Sequence, residues 1–192
     1  LPRKLSRAQR LLATIGGAVC LAGALPGAAM AAECAVQPTS KAFAEFGDQN
    51  DYYLAPGGAF ETLTWASVGY VDLSLDNDPF ELAPGIRSAK LNANEAVSAS
   101  FCVDRTMPHL RFVAKGSYGQ LEATVRTTTN GVTNTSTTTL SDADHDDVWA
   151  PSANVGLHTG GIPAGDRGTT TLTLRSTGLW RVDNVFVDPY RR

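Results

Sequence analysis

The sequence predicts an all-β fold, a jelly-roll β-sandwich of about nine or ten strands with little helix. Short stretches in which apolar and polar residues alternate recur along the chain, broken by Gly, Pro, Asn and Asp. Fourteen glycines and eight prolines fall within residues 32–192. No eleven-residue window there carries apolar residues at i, i+3, i+4 and i+7, the spacing a helix needs to bury one face.

The front of the chain stands apart. Arg3, Lys4, Arg7 and Arg10 precede an apolar run over 11–25, and Ala29-Met30-Ala31 supplies a small-x-small cleavage pattern. Residues 1–31 therefore read as a secretory signal peptide cut after Ala31, which makes the mature chain secreted and extracellular. The apolar run is too short for a comfortable bilayer span, so no membrane insertion of the mature chain is expected. Of the 16 Lys and Arg, four lie in this leader, leaving 12 against 19 Asp and Glu, a net charge of −7. A chain this acidic has no basic stripe for nucleic acid. Cys34 and Cys102 remain as an even pair in an exported chain, which predicts one disulfide.

Residues 32–42 form a small, polar lead-in, and residues 43–192 form one sandwich domain. Residues 43–46 and 52–54 are brief extended segments. Phe60, Thr62 and Thr64 alternate with Glu61, Leu63 and Trp65, which predicts a strand over 60–65. Another follows over 70–75, before a loop over 76–85 rich in turn formers. Residues 90–91 and 97–103 come next, the latter with Val97, Phe101 and Val103 on one parity. Residues 110–115 and 121–126 alternate as strands with one wet face. Asn130-Gly131 marks a two-residue hairpin between threonine-rich arms over 127–139. Thr170, Leu172 and Leu174 alternate in the penultimate strand.

The last strand carries an irregularity. Trp180 and Val182 share one face, but Val185 and Val187 have the opposite parity. Keeping all four inside requires one extra residue, so a bulge is expected near Asp183–Asn184. A bulge re-aims side chains, and a carboxylate and an amide are both oxygen ligands suited to a hard cation. The same two side chains could instead cap the bulge by bonding nearby backbone amides.

Gly57-Gly58-Ala59-Phe60-Glu61 followed by Trp65, set beside Val182-Asp183-Asn184-Val185, resembles the galactose-binding-like jelly-roll carbohydrate-binding modules. In those modules an early Gly-x-Phe-Glu/Asp element with a nearby Trp meets a late Asp-Asp-Val strand. The resemblance runs from about residue 43 to 190, with Asn184 in place of the second aspartate. It implies a structural Ca2+ where the two elements meet, with Asp183 as side-chain ligand, a backbone carbonyl near Ala59 or Phe60, and Glu61 at the family's acidic position. It also implies a non-catalytic module that binds polysaccharide or glycan.

Sugar binding needs an exposed aromatic ring beside hydrogen-bonding groups. The candidates are Tyr70, Tyr118 and Trp149, with Asp72, Arg111 and Gln120 as polar neighbours; a core position is the competing reading of Tyr70 and Trp149, and Trp65 and Trp180 are expected in the core. The acidic run Asp142–Asp147 lacks the glycine and closing glutamate of a calcium loop and reads as solvated. His109, His145 and His158 are scattered and read as surface residues. No nucleophile elbow, zinc-helix motif or phosphate loop is present, which argues against an enzyme. A structural protein of the envelope, presenting its loops to another protein, is the other reading of the acidic, threonine-rich surface.

Overall fold

A computed structural model describes residues 37–189. The expected signal peptide over 1–31, Cys34 and Tyr190 lie outside these residues. Twelve strands follow one another: β1 (Tyr53–Leu54), β2 (Ala66–Val68), β3 (Asp72–Ser74), β4 (Ser88–Leu91), β5 (Ala96–Val103), β6 (His109–Tyr118), β7 (Gln120–Thr129), β8 (Val132–Ser141), β9 (Ala150–Pro151), β10 (Val155–Gly156), β11 (Gly168–Ser176) and β12 (Leu179–Val187). They form two antiparallel sheets. One runs β10-β6-β12-β4-β3, with β1 added to β12 and β9 to β6; the other runs β2-β5-β11-β7-β8. This is the predicted jelly-roll sandwich, and its only helical pieces among the described residues are three 3-10 turns.

The strands owe their placement to alternation. In β7, Leu121, Ala123 and Val125 are buried, whereas Arg126 is exposed and Glu122 and Thr124 are half-buried. Leu172 and Leu174 of β11 lie beside Val125 and Ala123, and on the far side of β11 the buried Phe101 and Val103 of β5 extend the same core. From the other sheet come Leu110, Phe112, Ala114, Trp180 and Val182, which close the core between the layers. The two-residue hairpin forms as expected: Asn130 and Gly131 both have positive φ, 50° and 78°, the signature of a type I′ turn.

A second apolar cluster lies on the outward face of the seven-stranded sheet. Phe43, Tyr52, Ala83, Val113, Trp149 and Phe186 are buried there, with Phe46, Leu54, Ala59, Phe80 and Leu82 packed against them. It roofs the end of the sheet nearest Phe186. The 3-10 turn Ala44–Phe46 and the loop over 76–87 supply this roof, so both faces of the last strand are buried beyond Asp183.

Several sequence expectations are corrected. Residues 43–46 are not extended, because Gly47 closes a 3-10 turn with φ 81° and its N–H bonds the Ala44 carbonyl. Residues 60–65 form no strand. Phe60 takes the left-handed conformation with φ 49°, and the Trp65 indole N–H donates to the Pro56 carbonyl at 2.9 Å, clasping the segment into a loop. Threonine alternation mimicked a strand where local turns win. His145 is buried, not solvated: its Nδ1 lies 3.0 Å from the Ala114 carbonyl oxygen, and its ring packs edge-on to Trp180 at 5.2 Å. Trp65 and Trp180 lie in the core as expected, 5% and 0% exposed.

Cys102 occupies the outward parity of β5 opposite Thr169, one end of the expected bridge to Cys34. Among the described residues, no helix is long and apolar enough to cross a membrane.

Candidate functional site

Two places on the seven-stranded sheet gather functional groups. The first is the β12 bulge. Between Asp183 and Phe186 the strand advances three residues while β6 advances two, from Val113 to Arg111. Asn184 absorbs the extra residue with φ 51°. Strand β4 leaves β12 after Val182 and β1 joins it only at Phe186. The early glycine segment fills that gap: Ala55 N–H donates to the Val185 carbonyl at 2.8 Å, and Val185 N–H to the Gly58 carbonyl at 3.0 Å. Gly58 is required here, since a Cβ would stand 2.9 Å from the Val185 carbonyl oxygen. The first and last elements of the domain are therefore neighbours.

The bulge buries an acidic, oxygen-rich pocket. The Asp183 carboxylate is fully buried and accepts from the Asn184 N–H at 2.8 Å and the Asp78 N–H at 3.4 Å. The Asn184 amide donates to the Asp78 carboxylate, and its buried Oδ1 has no hydrogen-bond partner among the described residues. Burial pushes Asp183 up to about 8, and the nearby Asp78 and Glu61 charges push the same way against its backbone hydrogen bonds. Burial likewise raises Asp78. A cleft of about 380 Å3 lined by Asn77, Asp78, Pro79 and Glu81 opens onto this corner. Glu61 Oε1 accepts from the Ile86 and Arg87 N–H groups, each at 2.8 Å, which ties down the end of the 76–87 loop. Ala59 packs against the outward cluster. No group of three or more His, Cys, Asp or Glu side chains among the described residues is arranged to hold a metal. An ion at this corner would have to complete its shell with amide and backbone oxygens.

The second place is the unroofed end of the same outward face. Registers across four strands align Asp72 with Lys90, Lys90 with Arg181, and Arg181 with Lys115. Neighbouring strands lie about 4.8 Å apart, so the row spans about 14 Å. Asp76 organises it. Its Oδ2 pairs with Lys115 Nζ and with Arg181 Nε, each at 3.1 Å, and its Oδ1 accepts from the Trp149 indole at 3.2 Å. Burial acts to raise the Asp76 carboxyl, but hydrogen bonds from Lys115 and Trp149 with both cations outweigh it and hold it below 3.8. Asp147 adds a 3.8 Å contact to Lys115 and accepts from the Ser117 hydroxyl at 2.8 Å.

Beyond this row stand two tyrosines. Val71 and Leu73 join the core, so Tyr70 shares the outward parity of Asp72; it is 80% exposed. Tyr118 faces Leu179 at the end of β6, past the second register shift, and is 56% exposed. Rings at two corners, with carboxylates, ammonium groups and a guanidinium between them, provide apolar faces beside hydrogen-bonding groups.

The sequence-derived candidates divide accordingly. Tyr70, Tyr118 and Asp72 occupy the open face. Trp149 is set into the outward cluster at 7% exposure and offers no open ring. Arg111 is engaged elsewhere: it pairs with Asp48 at 3.0 Å, donates to the Ser152 carbonyl at 3.0 Å and lies over Phe43. Gln120 starts β7 on the other sheet, opposite Ser141. Lys90, Arg181, Lys115 and Asp76 were missed. The signal for the three cations was present, each being a charge between residues bound for the core; Asp76 lay in a loop with no pattern to mark it.

No protein-family model matches the chain, and no curated protein matches it. Among solved structures, the chain is similar to TmCBM61 in complex with β-1,4-galactotriose, with TM-score 0.44 and 14% identity over 70% of this chain and 96% of that one. It is similar also to the family 11 carbohydrate-binding module of the cellulosomal cellulase Lic26A-Cel5E of Clostridium thermocellum, with TM-score 0.42 and 13% identity over 68% and 91%. The enzymatically active domain of tailspike protein 4 of bacteriophage CBA120 gives TM-score 0.48 and 16% identity, over 70% of this chain and 21% of that one. No residue role is transferred from any of them.

Proposed function

We propose that the chain is a secreted, non-catalytic module that binds polysaccharide or glycan on the unroofed end of its seven-stranded sheet. One observation carries this reading: Tyr70 and Tyr118 are solvent-exposed rings on the same outward face, and the Asp72–Lys90–Arg181–Lys115 row lies beside them. Sugar rings present apolar C–H faces and hydroxyl edges, and this face offers a partner for each. Lys90, Arg181 and Lys115 are balanced by Asp72, Asp76 and Asp147, which favours an uncharged polymer over an anionic one. The leader over 1–31 supports export, and the even pair of cysteines beyond it, Cys34 and Cys102, supports one bridge.

Glycan-array screening followed by calorimetry tests the reading. Tyr70→Ala and Tyr118→Ala should each weaken binding of the best polysaccharide by about fivefold or more, the range of a ring that anchors an interface. An array with no bound glycan, or alanine variants that bind as the parent does, overturns it.

We propose further a structural Ca2+ at the buried corner around Asp183, its shell completed by amide and backbone oxygens. Its case rests on the desolvated Asp183 carboxylate and the orphaned Asn184 Oδ1, with Asp78 and Glu61 close enough to add negative charge. Such an ion would compensate buried charge and join the Gly58 segment to the last strand.

A further inference from the structure

We propose that β8 is a homodimerisation edge: two copies pair this strand antiparallel about a two-fold axis through Ser136, joining their five-stranded sheets into one sheet of ten. The argument begins with what an edge strand exposes. Every strand at a sheet edge leaves alternate backbone N–H and C=O groups unpaired, and folds that stay monomeric blunt such edges with short length, charge or proline. The other edge strands here are short. β2 and β3 have three residues, and β1, β9 and β10 have two each. β8 has ten, ends its sheet, and carries no proline. No charged residue occurs from Thr127 through Ser141 in a chain otherwise rich in acids.

The register of the hairpin shows which groups face out. Thr129 and Val132 flank the type I′ turn and form its closing hydrogen-bonded pair. Alternation then turns the backbone groups of Val132, Asn134, Ser136, Thr138 and Leu140 toward β7. Those of Thr133, Thr135, Thr137 and Thr139 turn away from the sheet.

A second copy is the occupant this edge fits. With Ser136 opposite its own symmetry mate, Thr133 faces the mate's Thr139 and Thr135 faces its Thr137. All four outward threonines then exchange paired hydrogen bonds. The same register sets Val132, 62% exposed in the single chain, opposite Leu140 of the mate. Side-chain pairing on the wet face follows a pattern already present, since Thr124 bonds Thr137 at 3.0 Å and Thr128 bonds Thr133 at 2.8 Å. The transverse rows put Arg126 beside Thr135 and Glu122 beside Thr139, so across the axis each charge continues into threonines of the mate and no like charges oppose. The operation is isologous and closes at two copies, and the joined sheet ends at both sides on the three-residue β2, too short an edge to propagate it. One strand pair buries less than the roughly 1,200 Å2 of a standard interface, so the dimer is concentration-dependent.

Sedimentation equilibrium across micromolar to millimolar protein should show reversible monomer–dimer exchange. Thr135→Lys with Thr137→Lys sets lysines directly opposite one another across the axis and should leave a folded monomer with the circular-dichroism spectrum of the parent, although a lysine at position 135 beside Arg126 and the lost Thr124–Thr137 bond lower its Tm somewhat. Ser136→Cys should form a covalent dimer under mild oxidation, because facing Cβ atoms in such a pair lie about 4.5–5.5 Å apart; Asn134→Cys, which faces Thr138, should not. A parent that stays monomeric throughout overturns the proposal. So does a double-lysine variant that dimerises as the parent does, or equal cross-linking at positions 134 and 136.

Discussion

Gly116→Ala is the sharpest test of how the seven-stranded sheet is packed. Gly116 lies opposite Trp180 in the β6–β12 register. A Cβ built there would stand 2.6 Å from Trp180 Cζ2, 2.7 Å from Cη2 and 2.8 Å from Cε2. Ordinary carbon contacts lie at about 3.5–4.0 Å, so the methyl group intrudes by about 1 Å on three ring atoms at once. The ring has little room to retreat, being fully buried, with the His145 ring 5.2 Å away. Overpacking of this kind costs about 1–3 kcal/mol. For a domain of this size each kcal/mol moves Tm by roughly 2–4 °C, so the expected fall is about 2–12 °C, read by circular dichroism. A second arm isolates the cause. Trp180→Phe removes the benzo ring that the methyl group strikes, so the double variant should be more stable than the sum of its parts by about 0.5–3 kcal/mol. A Gly116→Ala variant that melts with the parent, or strictly additive single changes, would refute the reasoning.

Two further predictions concern charge. His145 has its pKa lowered by burial, against the Ala114 carbonyl and Asp144, which both act to raise it. The unfolded chain thus takes up this proton first; the stability from the neutral ring is complete above about 6.5 and is lost as pH falls through the folded value. Asp183 has the opposite sign, its stability term present below 3.8 and lost as pH rises through about 8. Comparing parent with His145→Gln cancels that shared slope. The parent should lose more Tm than the variant between pH 7 and 5, and parallel curves would remove the assignment. For the calcium reading, millimolar Ca2+ should raise Tm of EGTA-stripped protein at pH 7, and Asp183→Asn should abolish the increment; superimposable melts with and without Ca2+ would reject the ion.

Much of the fold was legible because strands that border a single core write their parity into the chain. The 121–126 and 170–174 segments needed only alternation, and Asn130-Gly131 fixed the hairpin through the positive φ that both positions require. The bulge was legible for the same reason: Val182 and Val185 cannot both face inward unless a residue is inserted, and Asn184 is that residue. The segment over 60–65 misled because its alternation has no partner strand. Its backbone follows Gly57 and Phe60 into left-handed conformations and is held by the Trp65–Pro56 bond between residues nine apart.

The open face was harder to read, and the reason lies in the second apolar cluster. A sheet with two buried faces and a sheet with one differ only in what covers the outer side, and the cover here comes from distant loops. Phe43, Phe80 and Trp149 belong to three separate segments, and nothing in their local pattern says that they meet over Val113 and Phe186. Once they do, the outward parity of β6 and β12 splits into a roofed end and an open end. Trp149 falls under the roof, and its indole N–H turns to Asp76. Tyr70 and Tyr118 fall beyond it, where exposure is a consequence of the roof stopping short. The site is therefore defined by the limit of the second core, a long-range property that alternation along single strands does not encode.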